Sequence, residues 1–412
     1  MNYRINKINS YNGWDPLKQV ILGNVFEPEF FEDLPDTRTR DLIQQLLYET
    51  HEDLDNIQKT MEDMGVDVVR TPANATMLAD LSDGLPQISK HTSVMDWVEK
   101  SNTDKFQGHG IPKPCLSPRD FFISMGDKVL YTNGFHQSKG LQVNGQSLIN
   151  PEVLDMRLKG DEYTFGRFIP SKSYMEDNGL PVDWLSWNAH ERKKMESVRG
   201  NQVARYKAST QMFWAPTITR IGDTLIIDKK DVINLPEVIS ELYPNYKTPH
   251  VAIGGHNDAT FCTPKPGLVV CAPWLKPEHF KETFPGWDIL RIEHPNQMQS
   301  DWGDWQNEKH LSQGRWWHPK QKDNKAFARF VDAWLSKWVG YVEETVFEVN
   351  MLSVSPDVIL SLNYQKEVHD KLKQHGIEPV YCRFRHRNFW DAGLHCLTVD
   401  TVRDGGMQNY FE

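Results

Sequence analysis

Ile218-Thr219-Arg220-Ile221-Gly222-Asp223-Thr224-Leu225-Ile226-Ile227 reads as two short apolar strands folded over a Gly-Asp turn. Branched residues favour the pleated conformation, and glycine supplies the positive φ that a tight turn needs. The same pattern stands at Phe121 to Leu130, turning at Gly126-Asp127. Weaker copies run from Ala259 to Cys271, from Val349 to Leu360 and from Leu394 to Thr401. A second punctuation interleaves with the first, a helix closed by glycine and followed by a strand. Leu42, Ile43, Leu46, Leu47, Leu54, Ile57, Met61 and Met64 recur at helical spacing before Gly65 and the strand Val66–Val69. Gly286 and Gly376 repeat it before Trp287–Leu290 and Ile377–Val380.

A strand-hairpin-helix-strand unit thus recurs about five times at irregular spacing, which predicts a radial or stacked α/β body. One propeller-like domain over residues 1–412 is expected, although a chain of 412 residues would by length alone suggest two or three. The irregular spacing implies long insertions near 134–210 and 288–345. Trp302, Trp305, Trp316 and Trp317 fall in the second of these, which reads as a cap, lid or oligomer contact.

Composition narrows the function. A net charge of -10, with no Lys/Arg run, argues against a nucleic-acid partner. No apolar run reaches the ~18 residues of a membrane span, and Met1 to Trp14 carry no apolar signal region. Five widely spaced cysteines without a Cys-x-x-Cys pair fit a reducing cytoplasm and disfavour a disulfide framework or structural zinc.

The strand starts supply the candidate chemistry. They are Asp120 after Pro118-Arg119, Thr217 after Pro216, His256 with Asp258, Asn350 near Glu348, and Cys396. In a radial fold these positions converge near the axis. Alone, each has a plainer reading: an aspartate at a strand start is usually a turn residue, and a lone cysteine is usually buried and inert. Read as strands, Gly393–Thr398 turns His395 away from Cys396, whereas His256 and Asp258 share a face. Cys396 is then a candidate nucleophile and His256 its acid/base, with Asp120 and Asp258 holding a cationic substrate. A His-x-Asp metal pair with Asp120 is the alternative, weakened by the lack of further histidines near Asp120 or Cys396. Paired carboxylates suit a planar guanidinium, whose central carbon a thiolate can attack. An amine as second nucleophile gives amidino transfer; water gives hydrolysis.

These residues resemble the glycine amidinotransferases of the guanidine-modifying pentein superfamily. The likeness rests on Asn9-Ser10 with Trp14-Asp15-Pro16-Leu17, Pro118-Arg119-Asp120, and His256-Asn257-Asp258-Ala259-Thr260-Phe261. It continues through Gly393-Leu394-His395-Cys396-Leu397-Thr398 and the run from Asp400 to Tyr410. The resemblance implies a five-bladed αβ-propeller of pseudo-fivefold ββαβ units. It implies Cys396 as nucleophile, His256 as acid/base, and no cofactor or metal. The expected partners are a small guanidino donor, arginine first, and a primary-amine acceptor; a homodimer is expected only because family members are often dimers. An arginine hydrolase or a non-catalytic guanidino-binding protein is the alternative.

Three departures matter. The family's Phe-Asp-Ala-Ala-Asp segment corresponds to Phe213-Trp214-Ala215-Pro216-Thr217, so Thr217 stands where a carboxylate supports the histidine. An arginine for the substrate α-carboxylate falls at Leu275, beside Lys276, and an assisting serine falls near Glu348. The expectation is a substrate held differently, with Glu348 facing an ammonium and with Asn350 and Thr217 lining the site.

Overall fold

The computed structural model describes residues 7–73, 92–101, 113–120, 122–131, 215–228, 243–251, 256–273, 275–293, 324–335, 347–362 and 364–411, with short pieces between them. Most of the insertion at 134–210, and the four tryptophans from Trp302 to Trp317, lie outside the described residues.

The hairpins expected from the glycine turns are present. Phe122–Met125 pairs with Lys128–Tyr131, Ile218–Ile221 with Thr224–Asp228, Phe261–Lys265 with Leu268–Cys271, and Leu352–Ser355 with Val358–Ser361, all antiparallel. The last three each gain a parallel third strand, His250–Val251, Asp288–Arg291 and Glu378–Tyr381 respectively. Between the second and third strands run the helices Pro277–Thr283 and Lys366–Gln374 in the latter two sheets.

Besides a two-stranded hairpin of Gln142–Val143 with Gln146–Ser147, a further sheet is present, and it differs from the expected unit at Leu394–Thr401. Its hairpin partner lies at the other end of the chain: Thr398–Arg403 pairs antiparallel with Leu17–Leu22, which pairs in parallel with Asp67–Arg70. Leu394–Leu397 is not strand but a turn, closed by Leu397 N–H donating to Gly393 O at 3.0 Å and Thr398 N–H to His395 O at 3.1 Å. The segment before the first strand ties three sheets together. Asn9 N–H donates to Thr401 O, Ser10 N–H to Gly126 O, and Tyr11 O accepts from Gly222 N–H.

The predicted long helix is α1, Thr37–Asp63. It starts where the Asp36 carboxylate accepts from Thr39 N–H at 2.8 Å, satisfying one of the free first-turn donors. It stops at Gly65, whose φ of +82° a side chain would resist. Ile43, Leu46, Leu47, Leu54, Ile57 and Met61 form its buried face, each contributing roughly 2 kcal/mol of transfer free energy before chain entropy is counted. They pack in a cluster with Phe26, Phe31, Trp338, Trp390 and Leu397. Polar contacts add register: Arg385 Nε reaches the buried Asp53 carboxylate at 3.0 Å, and Trp390 Nε1 donates to Thr50 Oγ1 at 3.0 Å. So α1 anchors the segment that leads into the Cys396 turn. Among the described residues no helix is long and apolar enough to cross a membrane.

Candidate active site around Cys396

Two turns and one asparagine build the surroundings of the thiol. Asn257–Thr260 is a short helical turn preceded by His256, not the strand expected from the sequence. The expected sharing of a face by positions i and i+2 therefore does not apply, since a helix rotates about 100° per residue. Asp258 is nonetheless brought to the thiol: its Oδ2 lies 3.5 Å from Cys396 Sγ. The same oxygen lies 2.8 Å from His395 Nδ1. His395 and Cys396 thus converge on one carboxylate, against the expectation that they face opposite ways. The cause is the helical turn at Gly393–Leu397, where neighbouring side chains diverge by less than they do in a strand.

Asn350 clasps that turn. Its Nδ2 donates to Cys396 Sγ and to the Asp258 carbonyl, each at 2.9 Å. Its Oδ1 accepts from Cys396 N–H at 3.1 Å, and its carbonyl accepts from Leu394 N–H at 3.0 Å. The fit requires glycine at 393, because a Cβ there would overlap the Asn350 side chain. Asn350, expected to line the substrate, also holds the sulfur.

A buried ion cluster supports the turn from behind. Arg119 Nε donates to the carbonyls of Thr398 at 2.9 Å and His395 at 3.3 Å, and its Nη2 meets Asp400 at 2.9 Å. Arg220 and Arg403 also bind the Asp400 carboxylate. Burial opposes ionisation of Asp400, but the three guanidinium charges prevail and hold its carboxyl well below the usual range. With a depressed pKa, its contribution is present above the ordinary carboxylate range and is lost only as pH falls through the lowered value. This gives Pro118-Arg119-Asp120 two separate uses: Arg119 holds the backbone, and the charge of Asp120 acts on the thiol. Replacing Arg119 by Met should cost about 2–4 kcal/mol of unfolding free energy, because two buried carbonyls lose their donor and Asp400 loses one of its three guanidinium partners. Denaturant titration measures this; a loss below about 1 kcal/mol would remove Arg119 from the account.

Burial pushes the Cys396 thiol well up, and the carboxylates of Asp258 and then Asp120 act in the same direction against the Asn350 donor. At rest the sulfur is therefore a neutral thiol, and a cation placed between it and the carboxylates favours its ionisation. Signs of opposite direction follow for alkylation of the free protein by iodoacetamide. Asp120→Asn should move the pH midpoint down, whereas Asn350→Leu, which removes a donor to sulfur, should move it up.

The other expected residues fall as follows. Asp120 is half-buried at the end of the turn Pro118–Asp120, and His256 is half-buried, its charge acting on Asp258. Thr217 is buried at the end of the turn Ala215–Thr217, and its carbonyl accepts from Asn257 Nδ2 at 2.9 Å. Glu348 is buried two residues before Asn350. Leu275 is buried, and Lys276 is exposed at the start of the helix Pro277–Thr283. Sequence reasoning missed His395 and the part played by Asn350; Gly393, which excludes a side chain facing Asn350, was the signal available. Among the described residues no group of His, Cys, Asp and Glu side chains could hold a metal ion.

No model of a known protein family matches the chain. Glycine amidinotransferase of Xenopus laevis, a mitochondrial protein, is 23% identical over 420 residues, covering 98% of this chain and 84% of the relative. An inosamine-phosphate amidinotransferase from Streptomyces griseus superposes with a TM-score of 0.54 at 18% identity, over 98% of this chain and 99% of that one. The chain is similar to amidinotransferases over almost its whole length. A saxitoxin-pathway amidinotransferase from Microseira wollei superposes with a TM-score of 0.53 at 15% identity over 98% and 99% of the two chains. These likenesses show that the chain shares the α/β fold of the two superposed amidinotransferases. Thr217 and Leu275, the positions where the resemblance noted in the sequence leads one to expect a carboxylate and a guanidinium, are both buried.

Proposed function

We propose that the protein moves an amidino group from arginine, or another guanidino donor, to a primary amine through a covalent intermediate on Cys396. The observation that carries the reading is the Asp258 carboxylate beside the thiol. Its Oδ2 is taken by His395 and the sulfur, while Oδ1 is buried and has no hydrogen-bond partner among the described residues. Burying such an atom is costly unless a donor meets it. Burial would raise the Asp258 pKa, yet the His395 hydrogen bond, the positive charge that His395 and His256 carry once protonated and the charge of Arg119 outweigh it and keep the carboxyl below the usual range. An ionised carboxylate next to a thiol, with a second carboxylate acting from Asp120, suits a planar guanidinium.

The steps balance as follows. The guanidinium cation binds Asp258 and Asp120 and favours loss of the Cys396 proton. The sulfur attacks the central guanidinium carbon, and the C–N bond to the donor amine breaks. The thiol's proton passes to the departing amine through His256, leaving an amidino-thioether cation on Cys396. The acceptor amine then attacks that carbon, the C–S bond breaks, and the proton lost by the amine returns to sulfur. Thr217, lacking charge, stabilises a protonated His256 less than a carboxylate would. Buried Leu275 offers no cation for a substrate α-carboxylate, so we assign Glu348 to an acceptor ammonium or amino group, with Thr217 and Asn350 bordering the same space.

The four sheets built on the hairpins at 122–131, 218–228, 261–271 and 352–361, with the sheet that joins Leu17–Leu22 to Thr398–Arg403, are assigned as the five blades of one catalytic body spanning 1–412. A reducing compartment, the cytoplasm, suits a thiol-dependent site in a chain whose five cysteines are all free. A non-catalytic guanidino-binding role is the second reading, motivated by Thr217. Incubation of arginine with a panel of amines, followed by mass spectrometry of the products, tests the choice. A guanidinylated amine plus ornithine supports transfer, ammonia or urea without acceptor supports hydrolysis, and binding without product supports the second reading.

A further inference from the structure

The imidazole of His395 is absent from the steps above, yet it makes the shortest contact to the carboxylate on which they depend. It stands 2.8 Å from Asp258 Oδ2, the oxygen that also faces the thiol, so two groups compete for one side of the carboxylate and leave Oδ1 open. The backbone beneath the ring is fixed, because Asn350 O accepts from His395 N–H and Arg119 Nε donates to His395 O. The side chain is about a quarter exposed, against 8% for Asp258. Both border a crevice lined further by Arg119, Thr219, Arg220 and Ser353. Solvent can therefore reach the imidazole while Asp258 stays enclosed.

We propose that His395 is a positioning residue for the donor substrate. Its neutral Nδ1–H holds Asp258 Oδ2 so that Oδ1 meets the guanidinium, and its protonation sets the acid limit of donor binding by offsetting the carboxylate's charge. This rests on the amidinotransferase reading for the identity of the cation, but the hydrogen bond and its tautomer stand apart from it. Beside an ionised carboxylate the proton of a neutral imidazole belongs on Nδ1, which leaves Nε2 as the atom that takes up a proton. The charged and titratable groups around the ring are Asp258 from the turn 257–260, Arg119 from 118–120, Asp400 from the strand 398–403 and its own neighbour Cys396, with His256 and Asp120 acting one shell away. Burial and the Arg119 charge lower the His395 pKa against the pull of Asp258 and Asp400, so the ring is neutral at pH 7. As pH falls through that lowered value it gains a charge. The pair Asp258–His395 then carries no net charge, and a guanidinium is held less well.

Two variants and one measurement on the unaltered protein test this. His395→Asn keeps a donor near the Nδ1 position without a titrating group, and His395→Leu removes the donor. From about pH 5 to about pH 8, the donor KM of the unaltered enzyme should rise on the acid side. In His395→Asn that rise should vanish, with KM at the alkaline end changed by less than about threefold; His395→Leu should raise KM about tenfold or more at every pH, with a smaller effect on kcat. An acid-side rise that persists unchanged in His395→Asn, or a His395→Leu enzyme with ordinary KM, would overturn the proposal. Nitrogen-15 spectra of the histidines in the intact protein decide independently of folding of the variants and of turnover: an Nδ1–H tautomer with a pKa below the ordinary value supports it, and an Nε2–H tautomer sinks it. Absence of any guanidine turnover in the unaltered enzyme would remove the amidinotransferase reading, a failure separate from that of the tautomer.

Discussion

Cys396→Ala should abolish amidino transfer, lowering turnover by at least about four orders of magnitude while leaving the fold and guanidine binding in place. The reason is chemical. In the proposed reaction the amidino group reaches the acceptor only by way of the sulfur, and no other described side chain beside Asp258 is a nucleophile of comparable strength. Asp258 and Asp120 remain to hold the cation, so arginine affinity should change by less than about tenfold. Truncating a small buried side chain costs about 1 kcal/mol, and Asn350 loses one of its acceptors but keeps the Asp258 carbonyl and the Cys396 and Leu394 amides. Equilibrium dialysis with labelled arginine, beside a product assay, separates the two quantities. Retained turnover would place the nucleophile elsewhere.

Asp258→Asn is the second large effect, and it carries two signs. The amide preserves the volume but removes the charge, so kcat/KM should fall about a hundredfold to a thousandfold, mostly through the donor's KM. At the same time, the free thiol loses a neighbouring carboxylate that opposes its ionisation, so alkylation of Cys396 should begin at lower pH than in the unaltered protein. A merely destabilised variant would lose activity without that shift. The combination of a more reactive thiol with a worse enzyme is the signature of a carboxylate whose work is to hold the substrate cation.

Much of the fold could be read before any coordinates, because glycine punctuation is local chemistry. Gly65, Gly126 and Gly222 each adopt positive φ where a turn or helix end was expected. The pairing of Leu17–Leu22 with Thr398–Arg403 was hidden, since nothing in either segment announces a partner almost four hundred residues away. At the site, the residue types were legible and their directions were not. Leu394, Cys396 and Thr398 alternate as a strand would, but a short apolar run carries the same pattern in a helical turn. That ambiguity turned His395 away from a carboxylate it in fact touches. His256-Asn257-Asp258 was misread in the same manner, with less consequence. Arg119 could not be read at all: a buried arginine whose acceptors are carbonyls of a distant turn has no local sequence signal.

The central claim is that Cys396 carries the amidino group. Intact-mass measurement after incubation with arginine in the absence of acceptor tests it most directly. The account predicts an added mass of about 42 Da, located on Cys396 by peptide mapping, lost on addition of a competent amine and absent from Cys396→Ala. A protein that binds arginine yet shows no added mass with arginine or any other guanidine would contradict it.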